Sequence, residues 1–142
     1  MPLVENKKLH LNYEIKERIE AGIELVGNEV KSIRSSQAQI DGAKIIIRGG
    51  EAFIVGMNVS TYQNTEDKIF VADRTRKLLI KKSEILKLAT ESEKGLNLLP
   101  VKIYNSHGLL KLEIGVCKRK NKQDKRETIK AKEFKREKKS II

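Results

Sequence analysis

Few residues in this chain are of a type that carries nucleophilic or metal-assisted chemistry. The only histidines are His10 and His107 and the only cysteine is Cys117, and these positions match no familiar spacing of metal ligands. A lone cysteine excludes an internal disulfide and fits a reducing compartment, and we expect Cys117 to be a small strand residue facing the core. The sequence therefore predicts no metal site and no cofactor.

Carboxylates are the remaining candidates for acid–base chemistry. Glu20, Glu24 and Glu29 lie close together, but their spacing is that of solvated carboxylates on a strand and a helix face. The chain has no glycine-rich phosphate loop followed by Lys and Ser or Thr, and no Gly-x-Ser-x-Gly nucleophile motif. We predict that the protein is not an enzyme.

Positive charge is the chemical feature that the sequence does concentrate. The net charge is +11, and residues 118–142 hold 12 of the 30 Lys and Arg but only 4 of the 19 Asp and Glu. Such a segment attracts phosphates, which favours a nucleic acid over an anionic membrane surface. It has too few large apolar residues to fold into a core and no apolar face for membrane insertion. We predict a domain over residues 1–117 and a basic tail over residues 118–142.

A second basic cluster flanks the apolar run at residues 78–80. Its members are Arg74, Arg76, Lys77, Lys81 and Lys82. The sequence leaves open whether this cluster is a solvated strand edge or a phosphate-contacting surface. The chain has only three Tyr, three Phe and no Trp, whereas proteins that bind single strands stack bases on aromatic side chains. The scarcity favours recognition of a folded RNA by its shape and its phosphates.

The elements that must position these residues are mostly strands. Residues 1–11 are predicted to be a polar, mobile lead-in, and the segment around Tyr13 and Ile19 is either a short strand or a helical turn. Asn28 is the expected N-cap of a helix that runs to about Ser36. The clearest hairpin joins residues 43–48 to residues 51–59 through Gly49-Gly50.

The second half of the chain is predicted to contain a loop, a helix and a second hairpin. Residues 61–73 are predicted to be a loop, Ser83 is the expected N-cap of a helix, and a second hairpin joins residues 96–104 to residues 109–116. Pro100 in that hairpin indicates an edge position or a bulge. About six strands and two or three short helices, without alternating β–α–β units, predict an antiparallel sheet or a small closed barrel. No apolar run is long enough to span a bilayer, and no signal peptide is visible, so we expect a cytoplasmic protein.

Five ordered stretches carry a family resemblance. They are EAGIELVGNEVKSIR at 20–34, GEAF at 50–53, RTRKLLI at 74–80, LLKLEIGV at 109–116 and DKRE at 124–127. With these stretches in this order, the chain resembles the small protein B family, the SsrA-binding proteins of bacteria, from about Asn6 to the C-terminus. The resemblance implies an OB-fold-like antiparallel β-barrel with two or three short flanking helices and a disordered basic C-terminal tail.

The resemblance also implies a function. Members of the family are RNA-binding adaptors that bind the tRNA-like domain of transfer-messenger RNA (tmRNA) and deliver it to stalled ribosomes. There the RNA directs trans-translation, which rescues the ribosome and tags the incomplete protein. Elongation factor Tu and alanyl-tRNA synthetase are implied as indirect partners through the RNA, and we expect the protein to be a monomer.

The resemblance assigns tmRNA contacts to Glu20, Leu79 and Lys111. A lysine suits a phosphate, a leucine suits an exposed base or ribose, and a glutamate suits a base edge or a 2′-hydroxyl. Because of their charge, we add Arg74, Arg76 and Lys77 to the predicted RNA contacts.

The tail is implied to enter the decoding centre and the empty mRNA channel of the small subunit, where it becomes helical. Its predicted ribosome contacts are Lys118, Lys120, Gln123, Asp124, Lys125, Arg126, Ile129, Lys130, Lys132, Phe134, Lys135, Arg136, Ile141 and Ile142. Gln123 stands where the family usually has a His or Tyr, and Arg119-Lys120-Asn121 stands where it usually has Gly-Lys-Lys. The alternative is a structural ribosomal protein or another ribosome-associated basic RNA-binding protein, because composition alone does not separate these classes.

Overall fold

Nine strands and three helices make up the part of the chain that the structure describes. This structure is a computed structural model, and it describes residues 2–60 and 72–121 together with Arg126. In chain order the elements are β1 (Pro2–Glu5), α1 (Leu9–Asn12), β2 (Tyr13–Ile23), α2 (Gly27–Arg34), β3 (Ala38–Gln39), β4 (Lys44–Arg48), β5 (Glu51–Val55), β6 (Asn58–Val59), β7 (Arg76–Leu79), α3 (Lys82–Glu93), β8 (Asn97–Ser106) and β9 (Leu109–Arg119). None of these helices has the length and apolar character needed to cross a membrane.

Seven of these strands form one antiparallel sheet. Their order is β1-β8-β9-β2-β7-β5-β4, and β3 and β6 form a separate pair. The edge strand β4 lies close to β8, the neighbour of the other edge strand, so the sheet curls back on itself as a barrel does. The prediction of a mainly β protein built on an antiparallel barrel-like sheet is confirmed.

The inner face of the sheet carries the apolar core. Along β9 every second side chain, from Leu110 to Val116, is buried in this core, as the two-residue period of a strand requires. Ile33 of α2 and Leu88 of α3 are completely buried against it. Each such side chain contributes roughly 1.5–3 kcal/mol by leaving water, so the two helices are fixed to the sheet by their apolar faces.

A smaller apolar cluster lies on the opposite face of the sheet, beneath α1. Leu9 packs there against Val101 and Cys117. A Cβ atom on Gly115 would lie 2.9 Å from Val101 Cγ2 and 3.1 Å from Cys117 Sγ, so only glycine lets these side chains close over β9. Burial raises the pKa of the Cys117 thiol to about 11. The prediction of a buried strand residue is confirmed, but Cys117 faces this smaller cluster and not the main core. This end of the outer face is thus covered, and the end at Lys111 is open.

Several predicted elements are confirmed. The hairpin through Gly49-Gly50 is β4–β5, and α2 begins at Gly27, one residue before the predicted cap Asn28. The second hairpin is β8–β9, and its register shifts between Pro100 and Lys102, which confirms a bulge at the proline. Helix α3 begins at Lys82, so the predicted cap Ser83 lies inside its first turn.

Two predictions about the ends of the domain are wrong. Residues 2–5 are not a mobile lead-in but form β1, which pairs with β8, and residues 9–12 form α1. The domain also extends past residue 117, because Lys118 and Arg119 continue β9 and pair with Glu14 and Tyr13. The predicted loop at 61–73 lies outside the described residues except for a turn at 72–73.

Candidate nucleic-acid interface

One row of residues crosses four neighbouring strands on the open outer face. Gly22 of β2 lies opposite Leu79 of β7 on one side and opposite Lys111 of β9 on the other. Lys111 in turn lies opposite Tyr104 of β8. Side chains one residue along from this row, such as Leu112, are buried in the core, so the row itself faces outward.

Gly22 leaves the middle of this row without a side chain. A Cβ atom at Gly22 would lie 3.3 Å from Cβ and 3.6 Å from Cδ1 of Leu79, so the leucine lies over the bare backbone of β2. Leu79 nevertheless remains 55% exposed. The result is a flat apolar surface beside Lys111, which makes no ion pair with any other described residue.

Glu20 lies two residues before Gly22 and therefore shares its outward face. The hydroxyl of Tyr104 reaches across β9 and donates a hydrogen bond to Oε2 of Glu20. Burial of the phenol and the nearby Glu20 carboxylate raise the pKa of Tyr104 far above its ordinary value. The hydroxyl therefore stays protonated, and it orients the carboxylate while the other carboxylate oxygen stays available.

A network of charges centred on Glu113, which is mostly buried, surrounds this pair. Glu113, opposite Glu20 on β9, accepts from Arg18 at 2.5 Å and lies 3.4 Å from the ammonium of Lys102. The same ammonium lies 5.7 Å from the centre of the Tyr104 ring, within the range of a cation–π contact. Because the two cations are exposed, water and salt screen these pairs, and they shape the charge of the surface more than they stabilise the fold.

The structure thus brings Glu20, Leu79 and Lys111 onto one surface, although they are up to 91 positions apart in sequence. Their roles in RNA binding stay predictions. Sequence reasoning missed Gly22 and Tyr104, whose parts in the surface depend on cross-strand register. The alternation of apolar and polar residues in β2 and β9 was a signal for the sheet, but it did not fix which residues face each other.

Of the five residues in the basic cluster, Arg76 is buried, Arg74 and Lys77 are partly exposed, and Lys81 and Lys82 are exposed. Arg76 is completely buried, and its guanidinium donates to Glu29 Oε2 at 2.7 Å and to the carbonyl oxygens of Met57 at 3.1 Å and Ala72 at 3.0 Å. The prediction that Arg76 contacts RNA is therefore corrected, since its donors are used inside the fold. Arg74 is about one-third exposed and also pairs with Glu29, whereas Lys77 pairs with Glu51 at 3.2 Å on the surface.

A second correction concerns Glu29, which was predicted to be a solvated carboxylate. Its side chain is 1% exposed and therefore buried. Burial by itself raises the pKa of this carboxyl, but hydrogen bonds from Arg74, the Val26 backbone and Arg76 outweigh burial, and the pKa is lowered overall. Oε1 accepts the Val26 N–H at 3.0 Å, at the start of α2. Glu29 therefore ties the N-terminus of α2 to the strand that ends at Leu79.

Only the beginning of the predicted ribosome-binding tail is described. Lys118 is exposed on β9, and Lys120 donates its backbone N–H to Asn12 O and its ammonium to His10 O, both at 2.8 Å. Arg126 is exposed. The other predicted tail contacts, from Gln123 to Ile142, lie outside the described residues. Among the residues that are described, no three His, Cys, Asp or Glu side chains come together as a metal site would require.

Comparisons with a family model and with individual proteins identify the same family. Residues 3–142 match the family model described as SmpB protein. The chain is 47% identical over 138 residues to the SsrA-binding protein of Malacoplasma penetrans, covering 95% of this chain and 93% of that protein. It is 45% identical over 133 residues to the SsrA-binding protein of Thermosipho africanus, covering 92% and 89%.

A solved structure agrees with these sequence matches. One chain of the structure described as "tmRNA-SmpB: a journey to the center of the bacterial ribosome" superposes with a TM-score of 0.68 at 34% identity. The match covers 88% of the present chain and 92% of that chain. The similarity therefore extends over the barrel and is not confined to one motif.

Proposed function

Because the chain belongs to the SmpB protein family, we propose that it is an RNA-binding adaptor that binds tmRNA and acts with it on the ribosome in trans-translation. Its relatives are SsrA-binding proteins, and its structural neighbour is an SmpB chain described with tmRNA and the bacterial ribosome. The RNA brings elongation factor Tu and alanyl-tRNA synthetase into the same complex without direct contact with this chain.

The observation that carries the proposal is the open row on the outer face. Lys111 supplies a cation for a phosphate, Leu79 supplies an exposed apolar surface for a base or ribose, and Glu20 supplies a fixed acceptor. An acceptor held by Tyr104 selects N–H or O–H donors of the RNA, because phosphate oxygens offer none. The row therefore distinguishes features of a folded RNA that charge alone does not.

This role requires binding and no covalent step, so the protein works as an adaptor and not as an enzyme. Because it acts on ribosomes, its place is the cytoplasm. The accessible lysines of the described domain, among them Lys77 and Lys111, attract the RNA. The range of this attraction is the screening length, which the salt concentration determines. The outer face at Glu20 and Leu79 then fixes the orientation. A monomer is sufficient, because one chain supplies the whole row.

The tail serves as the ribosome-contacting part of the adaptor. Residues 122–142 hold nine basic and four acidic residues, a composition that matches a channel lined by rRNA phosphates. A channel occupied by message has no room for this segment, so the tail engages ribosomes whose message has ended. Its contacts are those predicted from Gln123 to Ile142.

Binding and tagging assays with a truncated chain test this division of labour. The truncation belongs after Asn121, because residues 118–120 are bound to β2 and α1 and removing them would damage the domain. The matched control carries the same residues 122–142 in scrambled order, which keeps the charge. We expect the truncated and scrambled chains to bind tmRNA like the full chain and to fail in tagging on ribosomes stalled at a message end. Loss of RNA binding on truncation would contradict the proposal.

The alternative, a structural ribosomal protein, predicts a different distribution of this chain between translating and stalled ribosomes. A structural component is present on every ribosome, whereas an adaptor is enriched on stalled ribosomes and needs tmRNA to reach them. Sedimentation of translating and stalled ribosomes, with and without tmRNA, separates the two. Equal occupancy in all four samples would favour the structural protein.

A further inference from the structure

Strand β9 connects the row of outward-facing residues to the start of the tail. Lys111 belongs to that row, which we call the outer-face row, and Lys120 directly follows the end of β9. Lys120 is nine positions after Lys111, and nine residues of an extended strand span about 30 Å. β8 and β2 each skip a residue where they pair with β9, but β9 itself pairs without interruption. This strand therefore fixes the distance between the outer-face row and the root of the tail.

Helix α1 holds Lys120 at the end of this strand. The Lys120 N–H donates to the Asn12 carbonyl oxygen and its ammonium donates to the His10 carbonyl oxygen, both at 2.8 Å. Lysine is favoured at such a place, because its ammonium pairs with the carbonyl groups at the end of a helix. The direction of the chain at Lys120 is therefore set by α1 as well as by the sheet.

Helix α1 is in turn fastened to β8 and β9. Leu9 is 4% exposed and packs on Val101 and Cys117. Just before the helix, the buried Asn6 donates its N–H to the Val101 carbonyl oxygen at 2.9 Å and its side-chain amide to the Pro100 carbonyl oxygen at 3.0 Å. These bonds lie at the bulge of β8, so the bulge provides the seat on which α1 rests.

The attachment of α1 is narrow. The helix has four residues, and a single turn is not stable by itself. A cleft of about 570 Å³ opens beside it, between α1, β4 and the start of β8, so no packed layer supports the helix on that side. The position of α1 therefore depends on the contacts of Asn6, Leu9 and Lys120.

We infer that α1 positions the tail and that Lys120 is the positioning residue between them. Arg119 stands where the family usually has glycine, so the backbone is also less free to rotate at this point. A segment whose first residue is held in place loses less freedom when it binds. The barrel on its RNA then sets the direction in which residues 122–142 leave it. This inference rests on the proposed function.

A cycle of variants in the full chain tests it. Lys120→Met removes the ammonium and keeps the backbone N–H that Asn12 accepts. An insertion of Gly-Ser-Gly-Ser after Asn121 frees the direction of the tail whatever Lys120 does. The matched control for the lost charge is Lys118→Met, on an exposed lysine of β9. The measurements are tmRNA affinity and tagging on ribosomes stalled at a message end.

The insertion should separate the two lysines. Lys120→Met should lower tagging roughly 2–10-fold, the value of one hydrogen bond, and leave tmRNA affinity unchanged. In the chain with the insertion it should cost less than about twofold, whereas Lys118→Met should cost the same factor in both backgrounds. An equal cost of Lys120→Met in both backgrounds would overturn the inference and make Lys120 a direct ribosome contact.

A second measurement needs no ribosome. Cys117 is the only cysteine and is completely buried, so spin labels attach to cysteines introduced as Lys44→Cys on β4 and Lys122→Cys at the root of the tail. Lys120→Met should broaden the distribution of distances between the labels, and Lys118→Met should not. Identical distributions in all three chains would overturn the inference even where the insertion abolishes tagging.

Two outcomes separate this inference from the proposed function. If Lys120→Met weakens tmRNA binding itself, Lys120 belongs to the RNA contacts, and the inference is overturned while the proposed function stands. If the wild-type chain does not bind tmRNA, the proposed function fails, and the label distances still decide whether α1 holds the root of the tail.

Discussion

The hydroxyl of Tyr104 donates a hydrogen bond to the carboxylate of Glu20 across an intervening strand. The two residues lie on β8 and β2, with Lys111 of β9 beside them in the outer-face row. A glutamate on an exposed strand ordinarily samples several rotamers, and ordering it costs free energy on binding. Tyr104 restricts those rotamers before the RNA arrives, so it is a positioning residue for Glu20.

Tyr104→Phe tests that relationship, since it removes the hydroxyl and keeps the ring beneath Lys102. We expect the dissociation constant for the tRNA-like domain to rise roughly 2–10-fold, the value of one ordinary hydrogen bond. Tyr13→Phe is the matched control, because Tyr13 lies at the covered end of β2 beside Leu9. In a Glu20→Ala background, which lacks the acceptor, the Tyr104→Phe change should cost clearly less. An equal cost in both backgrounds would show that Tyr104 acts independently of Glu20.

Lys111→Met should weaken RNA binding and change its dependence on salt. The substitution keeps most of the aliphatic stem and removes one cation, so the slope of log affinity against log salt should fall by about one unit. The control is Lys44→Met on β4, an exposed lysine that does not border the outer-face row. Titrations at several salt concentrations measure both slopes, and equal slopes for the two variants would argue against a phosphate contact at Lys111.

Glu29→Gln should destabilise the fold strongly. Arg76 is 0% exposed and pairs with Glu29, and removing one partner of a buried pair leaves the other charge without compensation. The expected loss of unfolding free energy is about 3–5 kcal/mol, measured as a lower urea midpoint. Glu51→Gln, which breaks the exposed pair with Lys77, should cost less than about 1 kcal/mol. Similar losses for the two variants would contradict the assignment of Glu29 as a buried anchor.

The lowered pKa of Glu29 fixes the direction of a pH effect. Burial opposes ionisation of this carboxyl, but the hydrogen bonds from Arg74, Val26 and Arg76 outweigh it. The stabilisation is therefore complete above the unfolded glutamate pKa of about 4.3 and is lost as the pH falls through the lower folded value. We expect the stability difference between wild type and Glu29→Gln to narrow in this acidic window in urea melts. A difference that widened on acidification would mean that the folded pKa is raised.

Gly115→Ala should loosen the cluster beneath α1. The new Cβ would meet Val101 Cγ2 at 2.9 Å and Cys117 Sγ at 3.1 Å, and overpacking of this kind costs about 1–3 kcal/mol. Gly27→Ala is the control, because a Cβ there would meet nothing within 4 Å and alanine favours the helix that begins at Gly27. Urea melts of both variants make the comparison. An unchanged midpoint for Gly115→Ala would mean that β9 and α1 move apart at little cost.

The sequence was most informative where structure depends on neighbouring residues. The hairpins and helix α2 could be predicted because turn glycines, alternation and a short helical pattern lie within a few positions of each other. Residues 2–12 were misjudged because β1 is only four residues long and is defined by its pairing with β8, about 100 residues away. Local patterns contain no information on such a pairing.

The same limit explains the errors at the site. Glu29 and Arg76 each look like surface residues, and only the fold shows that they bury each other across 47 positions. The family resemblance supplied Glu20, Leu79 and Lys111 as separate residues. It did not supply the hydrogen bond from Tyr104 or the bare backbone at Gly22, because these depend on cross-strand register.

The contacts of Lys120 with α1 give the tail a fixed starting point. In the proposed complex, the position of the barrel on the RNA then determines where the remaining 21 residues start. Their local concentration at a ribosomal binding site depends on the distance from Asn121 to that site and on the length of the 21-residue segment, as for any tethered ligand. As a helix they would span about 32 Å. Inserting residues after Asn121 would therefore change the tether's geometry while leaving every contacting side chain intact.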